Sequence, residues 1–203
     1  MANLVITIGR EFGSGGHAVA EELSRIMGIK LYDKELIHLT AKASGYSEEF
    51  LHDIDETASN SLLYSLSLNA GQHLPLIMAG QTMPLSDKAF IICADIIKDL
   101  AQKESCIILG RCADGVLKDH ENLLTVFIHS DVERRTERIC EKNRCSRGEA
   151  VNLIKKTDRR RSIYHNYYAE TKWGDKASYD LCIDSKIGIE KAAQLIKFAA
   201  ENR

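Results

Sequence analysis

No two cysteines of this chain stand in a C-x-x-C pair. The six, Cys93, Cys106, Cys112, Cys140, Cys145 and Cys182, are scattered, and several sit in apolar runs such as Ser105-Cys106-Ile107-Ile108. Reduced core cysteines of a cytosolic protein are distributed in this way, so no disulfide framework is expected. Cys140 and Cys145 taken with His165 offer zinc-type donors, but at a poor spacing, and no metal site is expected from them. No apolar stretch reaches the roughly 18 residues of a membrane span. Met1-Ala2-Asn3-Leu4 lacks the charged start and long apolar run of a signal peptide. The expectation is a soluble cytoplasmic protein without a membrane partner. An excess of one charge is missing too: the formal net charge is -2, which gives no reason to expect a nucleic-acid partner. Internal repeats and low-complexity segments are absent. Proline is scarce, and both prolines, Pro75 and Pro84, fall with Gly71 and Gly80 inside residues 61–86. That stretch reads as an irregular insertion.

What is present suits one α/β domain. The 203 residues are 44% hydrophobic, enough to bury a normal core. Charge is unevenly placed. Residues 134–172 carry twelve Lys and Arg against five Asp and Glu, on an otherwise acidic chain. A basic segment on an acidic body is what a lid over phosphates needs, although a solvated helical face has the same composition.

Strand and helix signals alternate, which predicts a parallel sheet wrapped by helices. Leu4–Ile8 is a β-branched run suited to a doubly buried strand. After a Gly-rich turn, Val19, Leu23, Ile26 and Met27 are spaced for one helix face over Ala18–Met27, with Gly28 as its terminator. Ile29–Tyr32 is a second strand. Residues 34–60 read as two helical pieces broken at Ser44-Gly45, with Ser47 capping Glu48–Thr57. Ser86 is expected to cap a helix over Asp87–Lys103 with Phe90, Ala94, Ile97 and Leu100 on one face. Cys106–Leu109 and Leu123–Ile128 are the third and fourth strands. Helix Val132–Lys142 follows, and Ser146-Arg147-Gly148-Glu149 fits a capping box opening a helix to about Tyr168. Tyr179–Ile183 is the fifth strand and Ile189–Ala199 the closing helix. In a doubly wound sheet, ligands bind outside the carboxyl ends of the strands. Gly9–His17, Asp33, Arg111–Asp114 and His129 all follow strands at that edge.

The run Gly9-Arg10-Glu11-Phe12-Gly13-Ser14-Gly15-Gly16-His17 joins the first strand to the first helix. Its glycines let successive amides converge on one anion, and the helix N-terminus adds partial positive charge, so Gly13, Ser14, Gly15, Gly16 and His17, with Arg10, are candidate phosphate ligands. The pattern departs from G-x-x-x-x-G-K-[ST]. With its second glycine on Gly15, Gly16 takes the place of the lysine and His17 that of the hydroxyl residue. A dinucleotide loop is an alternative, since Gly13-x-Gly15 begins one and Asp33 lies where a ribose-binding acid would. No third glycine follows at the required spacing. A ligand-free strand-to-helix turn is the remaining reading.

The chain resembles the cytidylate-kinase-like family, a branch of the nucleoside monophosphate kinases whose members often lack the P-loop lysine. The resemblance runs from about Val5 to Ile196 and is weakest over 61–86. It rests on Ile8-Gly9-Arg10-Glu11-Phe12-Gly13-Ser14-Gly15-Gly16, Leu31-Tyr32-Asp33-Lys34-Glu35-Leu36 and Ile108-Leu109-Gly110-Arg111-Cys112-Ala113-Asp114. Val126-Phe127-Ile128-His129, Trp173-Gly174-Asp175 and Tyr179-Asp180-Leu181-Cys182-Ile183-Asp184 complete it. It implies a P-loop three-layer α/β/α fold over 1–203, with a five-stranded parallel sheet, an acceptor-side helical region over 34–104 and a helical basic lid over 140–172. The implied activity is ATP-dependent phosphoryl transfer, with magnesium, to a nucleoside monophosphate or similar small acceptor. Ordinary cytidylate kinases are looser relatives. Arg111 matches the arginine of their G-R-D-x-G element, which grips the acceptor phosphate; the aspartate after it is not matched, though Asp114 is nearby. Asp158-Arg159-Arg160-Arg161-Ser162 resembles part of their lid motif R-D-x-x-D-S-x-R, but Arg161 stands at the second aspartate and Tyr164 at the final arginine. Base recognition through that pair, and with it a CMP assignment, does not carry over.

Roles follow from what phosphoryl transfer requires, which is positioning and charge neutralisation. Arg111 is expected to fork onto the acceptor phosphate. Arg159, Arg160 and Arg161 are about 100° apart on a helix, so one or two of them face a ligand while at least one faces solvent. Arg10, Lys34 or a lid arginine replaces the missing lysine. Asp33 and Asp114 orient the acceptor, bind magnesium through water, or cap helices. His17 touches phosphate or caps the helix. Trp173, Tyr164, Tyr167 and Tyr168 stack on a base or pack the domain. Two further readings remain: a degenerate P-loop sensor that binds nucleotide without efficient transfer, and a loop retained by fold inheritance alone. Leu62–Leu68 would serve a homodimer contact as readily as the core.

Overall fold

The computed structural model describes residues 2–49, 51 and 84–203. The insertion expected at 61–86 and the stretch Leu62–Leu68 lie outside the described residues apart from 84–86. Five strands form one parallel sheet: β1 (Val5–Arg10), β2 (Lys30–Tyr32), β3 (Cys106–Leu109), β4 (Leu123–His129) and β5 (Leu181–Asp184). The helices bounded within the described residues are α1 (Gly16–Met27), α2 (Lys34–Ser44), α3 (Leu85–Lys103), α4 (Ala113–Val116), α5 (Val132–Asn143), α6 (Arg147–Tyr168) and α7 (Ile189–Glu201). The strand order is β2-β3-β1-β4-β5. After β1 the chain returns toward β2; after β3 it crosses to β4 on the opposite side of β1. The switch point is therefore the crevice between the carboxyl ends of β1 and β3, where ligands bind in such sheets.

Continuous apolar strands let the sheet bury both faces. On one face Ile6, Ile8, Ile107, Val126 and Ile128 pack against Val19 and Leu23 of α1 and Ala193 and Ile196 of α7. On the other, Val5, Cys106 and Ile108 pack against Leu36 of α2, Ile97 and Leu100 of α3 and Leu117 after α4. A smaller cluster joins α5 to α6 through Ile139, Ala150 and Ile154, and Phe12 of the Gly-rich turn packs onto it. The basic segment is thereby fastened to the loop it was expected to cover.

Several boundaries follow their predicted causes. Gly28 and Gly45 end α1 and α2 in the left-handed conformation, each donating its amide four residues back. The Ser146–Glu149 capping box opens α6 with both halves formed. Helix α3 departs from expectation. It starts at Leu85, with the Pro84 carbonyl accepting from the Asp87 and Lys88 amides, and Ser86 does not cap it. A proline just before a helix sacrifices no helical hydrogen bond, because the first amides have no intrahelical partner. Strand β5 begins two residues later than read, because Asp180 is taken up by the Thr125 amide and hydroxyl, at 2.8 and 3.0 Å.

Candidate active site

Two neighbouring features occupy the carboxyl edge of the sheet. The first is the Gly-rich turn. Gly13 and Gly15 adopt φ of 79° and 86°, and a Cβ on Gly13 would lie 3.1 Å from the Arg135 carbonyl and from Ile139 Cγ1. Glycine is required there on both counts. Within the turn the Ser14 amide and hydroxyl donate to the Glu11 carbonyl at 3.3 and 2.9 Å, and the Gly16 amide donates to Ser14 Oγ at 3.3 Å. These bonds withdraw two of the expected amides from ligand duty. Among the described residues, the amides of Gly13, Gly15, His17 and Ala18 have no protein acceptor. They lie at the positive end of α1, an arrangement that suits an oxyanion.

The turn is braced from the lid side. Asp158 of α6 accepts the Phe12 amide at 2.7 Å and pairs with Arg135 of α5. Arg135, 4% exposed, also donates to the Phe12 carbonyl at 2.8 Å and pairs at 3.0 Å with Glu11, whose carboxylate accepts the Ser130 amide. A buried guanidinium persists only when paired in this way. Arg138, one turn along α5, donates to the Gly13 carbonyl at 2.5 Å, and its guanidinium would stand 3.2 Å from a Cβ on Gly15. Ser185 Oγ donates to the Ser14 carbonyl at 2.5 Å. The bracing roles of Asp158, Arg135, Arg138 and Glu11 do not follow from their local sequence. The i, i+3 spacing of Arg135 and Arg138 was the signal available for the pair on α5.

The second feature is a cleft of about 280 Å3 at the switch point. It gathers Arg10, Asp33, Lys34, Arg111, Asp114, Arg160 and Arg161 from four separate segments, with Tyr164, His165, Trp173 and Tyr179 on its walls. Among the described residues, five cationic side chains thus face two carboxylates. Gly110, Arg111 and Cys112 are successive left-handed residues, at φ 76°, 59° and 56°. The two non-glycine members carry a backbone cost of about 1–3 kcal/mol each, and such strain gathers at functional sites. It aims Arg111 and Cys112 into the cleft from the end of β3. Arg161 donates to the Arg10 carbonyl at 2.9 Å and lies over the Phe12 ring. Burial, and then the charge of Arg10, pushes its guanidinium down to about 9. Its charge is therefore held at a cost that an anion in the cleft would relieve.

The remaining predicted residues divide. Arg159 is exposed and does not line the cleft, because it points a helical step away from Arg160. Arg159 is thus the member of the trio that faces solvent. Asp33 stands before α2 but makes no side-chain cap bond; its carboxylate meets His17 Nε2 at 3.1 Å instead. Asp114 does not cap α4, whose N-cap position is Cys112; it holds His165 Nε2 at 2.6 Å. His17 is half exposed, between Asp33 and Glu21. His165 lies against Asp114 and Cys112, and takes no part in a set with Cys140 and Cys145. Tyr168 stacks on Phe90 with ring centroids 3.8 Å apart and donates to Asp87, and Tyr167 packs edge-on to Tyr168. Both serve packing, while Tyr164 and Trp173 remain at the cleft.

A crystal structure of an uncharacterized protein from Eubacterium ventriosum superposes with a TM-score of 0.72 at 32% sequence identity, covering 99% of this chain and 100% of that one. More remote neighbours share the fold alone. A shikimate kinase from Bacteroides thetaiotaomicron is 11% identical with a TM-score of 0.53, each chain covered to 98%. A gluconokinase from Sinorhizobium meliloti is 15% identical with a TM-score of 0.51, covering 98% of this chain and 94% of that one. No curated protein matches. The profile of the cytidylate kinase-like family matches residues 5–187, a span that runs from β1 through both features of the sheet edge to the turn after β5. On that match the chain belongs to the cytidylate kinase-like family.

Proposed function

We propose that this protein is an ATP-dependent phosphotransferase whose acceptor is a nucleoside monophosphate or a similarly small anionic molecule. The observation that carries the reading is the adjacency of the two features: four amides without protein acceptors at the start of α1, beside a cleft lined by Arg10, Lys34, Arg111, Arg160 and Arg161. The amides of Gly13, Gly15, His17 and Ala18 would hold the donor phosphates. Arg138, across the turn, would supply the cationic charge that the absent lysine does not. Arg111 would fork onto the acceptor's anionic group, while Arg160 and Arg161 neutralise charge developing between donor and acceptor. Catalysis in this reading is positioning and electrostatics, with little covalent work for the protein.

Magnesium normally keeps several waters and uses one or two carboxylates together with substrate phosphates. Asp33, about a quarter exposed beside His17 at the cleft, fits that requirement where the usual hydroxyl is missing. When bound there, the ion would neutralise phosphate charge. The acceptor base, if there is one, would meet Tyr164 and Trp173.

The internal use of the Ser14 and Gly16 amides favours a second reading, a nucleotide sensor with a reduced donor seat. Thermal denaturation tests what both readings share. ATP and CMP, added singly and together, should raise the melting temperature, since a ligand of the native state stabilises it by mass action. No shift with any triphosphate would remove both readings. Additivity of donor and acceptor shifts supports the transferase, and a shift with triphosphate alone supports the sensor.

A further inference from the structure

We propose that Cys112, Asp114 and His165 form a binding site for a zinc-class divalent ion at the inner end of the acceptor cleft. The inference goes beyond the phosphotransferase reading and does not depend on it. Cys112 Sγ, a carboxylate oxygen of Asp114 and a ring nitrogen of His165 all lie within 4.8 Å of one another. They come from two distant parts of the chain, the turn after β3 and the last turns of α6. Cys112 is 3% exposed and His165 5%. Asp114 keeps 12% of its side chain exposed and holds His165 Nε2 at 2.6 Å.

Two further observations point to a ligand. His165 Nδ1 is buried with no hydrogen-bond partner. Buried polar atoms are nearly always paired, and unpaired ones ask for an explanation such as an ion or its bound water. The second is the backbone. Cys112 is held left-handed at φ 56°, directly after left-handed Arg111, which turns its thiol under His165, with Sγ 4.0 Å from the His165 carbonyl. A plain apolar packing position gives no reason for that strain.

The donor chemistry selects the ion. Thiolate, imidazole and carboxylate together suit zinc or cobalt(II), whereas magnesium prefers oxygen alone. Three protein donors are the usual complement of an open zinc site, which leaves a position for an outside ligand. Cys112, Asp114 and His165 all line the cleft, so that position faces the acceptor space. As the metal–sulfur bond forms, the Cys112 thiol gives up its proton to solvent.

The test uses the full chain, treated with a chelator and kept under reducing conditions. Cobalt(II) titration should produce a thiolate-to-cobalt charge-transfer band in the near ultraviolet, and zinc should remain at one ion per chain after gel filtration, measured by mass spectrometry. Cys112→Ser should abolish the band, and His165→Gln should weaken zinc retention by roughly tenfold or more. The triple variant Cys140→Ser/Cys145→Ser/Cys182→Ser should keep both signals. It also carries the test if Cys112→Ser fails to fold, because it leaves the buried set untouched. The proposal is overturned if the wild type retains no zinc and gives no band, or if the triple variant loses the band.

Discussion

Replacing Asp158 by alanine should destabilise the protein severely and loosen the donor turn. Asp158 accepts the Phe12 amide at 2.7 Å and pairs with Arg135, which is 4% exposed. Removing one member of a buried, hydrogen-bonded pair costs about 3–5 kcal/mol, because the other charge stays buried without full compensation. Glu11 still faces Arg135 at 3.0 Å, so the lower half of that range is expected. For a domain of this size each kcal/mol lowers the melting temperature by about 2–4 °C, so a loss on the order of 6–15 °C should appear in calorimetry. Triphosphate affinity should fall as well, since the freed Phe12 amide no longer fixes the turn. Removing the exposed partner Glu133, which pairs with Arg147 at the surface, should leave the melting temperature unchanged, because solvent screens such pairs. A stability loss below about 1 kcal/mol for Asp158→Ala would refute the claim that this residue locks lid and loop together.

Three further outcomes follow. Arg111→Ala and Arg160→Ala should each lower turnover by about 10²–10³-fold, as removal of a preorganised charge-stabilising donor does, while Arg159→Ala should stay near wild type; steady-state kinetics of ADP release reads all three. Gly13→Ala should lower stability by about 1–3 kcal/mol in urea titration, because a side chain at φ 79° is strained and would meet the Arg135 carbonyl. Burial, and then the Glu104 hydrogen bond, pushes the Tyr32 phenol up to about 12. Its contribution to stability is therefore complete below pH 10 and is lost as the pH rises through about 12, so urea unfolding between those values should fall more steeply in wild type than in Tyr32→Phe.

The sheet was legible because its cause is local. Cys106–Leu109 is apolar at every position and buried at every position, as a parallel strand between two helical layers must be. Ser146 and Glu149 announce α6 with bonds that close within four residues. Helix α3 was misplaced by two residues because Ser86 is a good cap in isolation, whereas the Pro84 carbonyl does the work. The edge that carries the site was readable from strand–loop order, and Arg10, Asp33, Lys34, Arg111, Asp114, Arg160 and Arg161 do meet there. The bracing of the turn was not readable. Asp158 and Phe12 are separated by 146 positions, and no local pattern distinguishes this aspartate from a solvated one. Of the readings open for Asp33, the helix cap is not formed, because the neighbouring His17 meets its carboxylate in the fold. Cys112 and His165 are likewise unremarkable apart, and acquire chemistry when α6 crosses the end of β3.

In the proposed function the Gly-rich turn and the cationic cleft are the donor and acceptor halves of one phosphotransferase. The decisive experiment is ADP release from ATP and magnesium, measured across a panel of nucleoside monophosphates and other small anionic acceptors. At least one acceptor in that panel should raise ADP formation well above the rate with ATP alone, and Arg111→Ala should abolish that stimulation. Binding of ATP without stimulation by any acceptor, or stimulation untouched by Arg111→Ala, would contradict it.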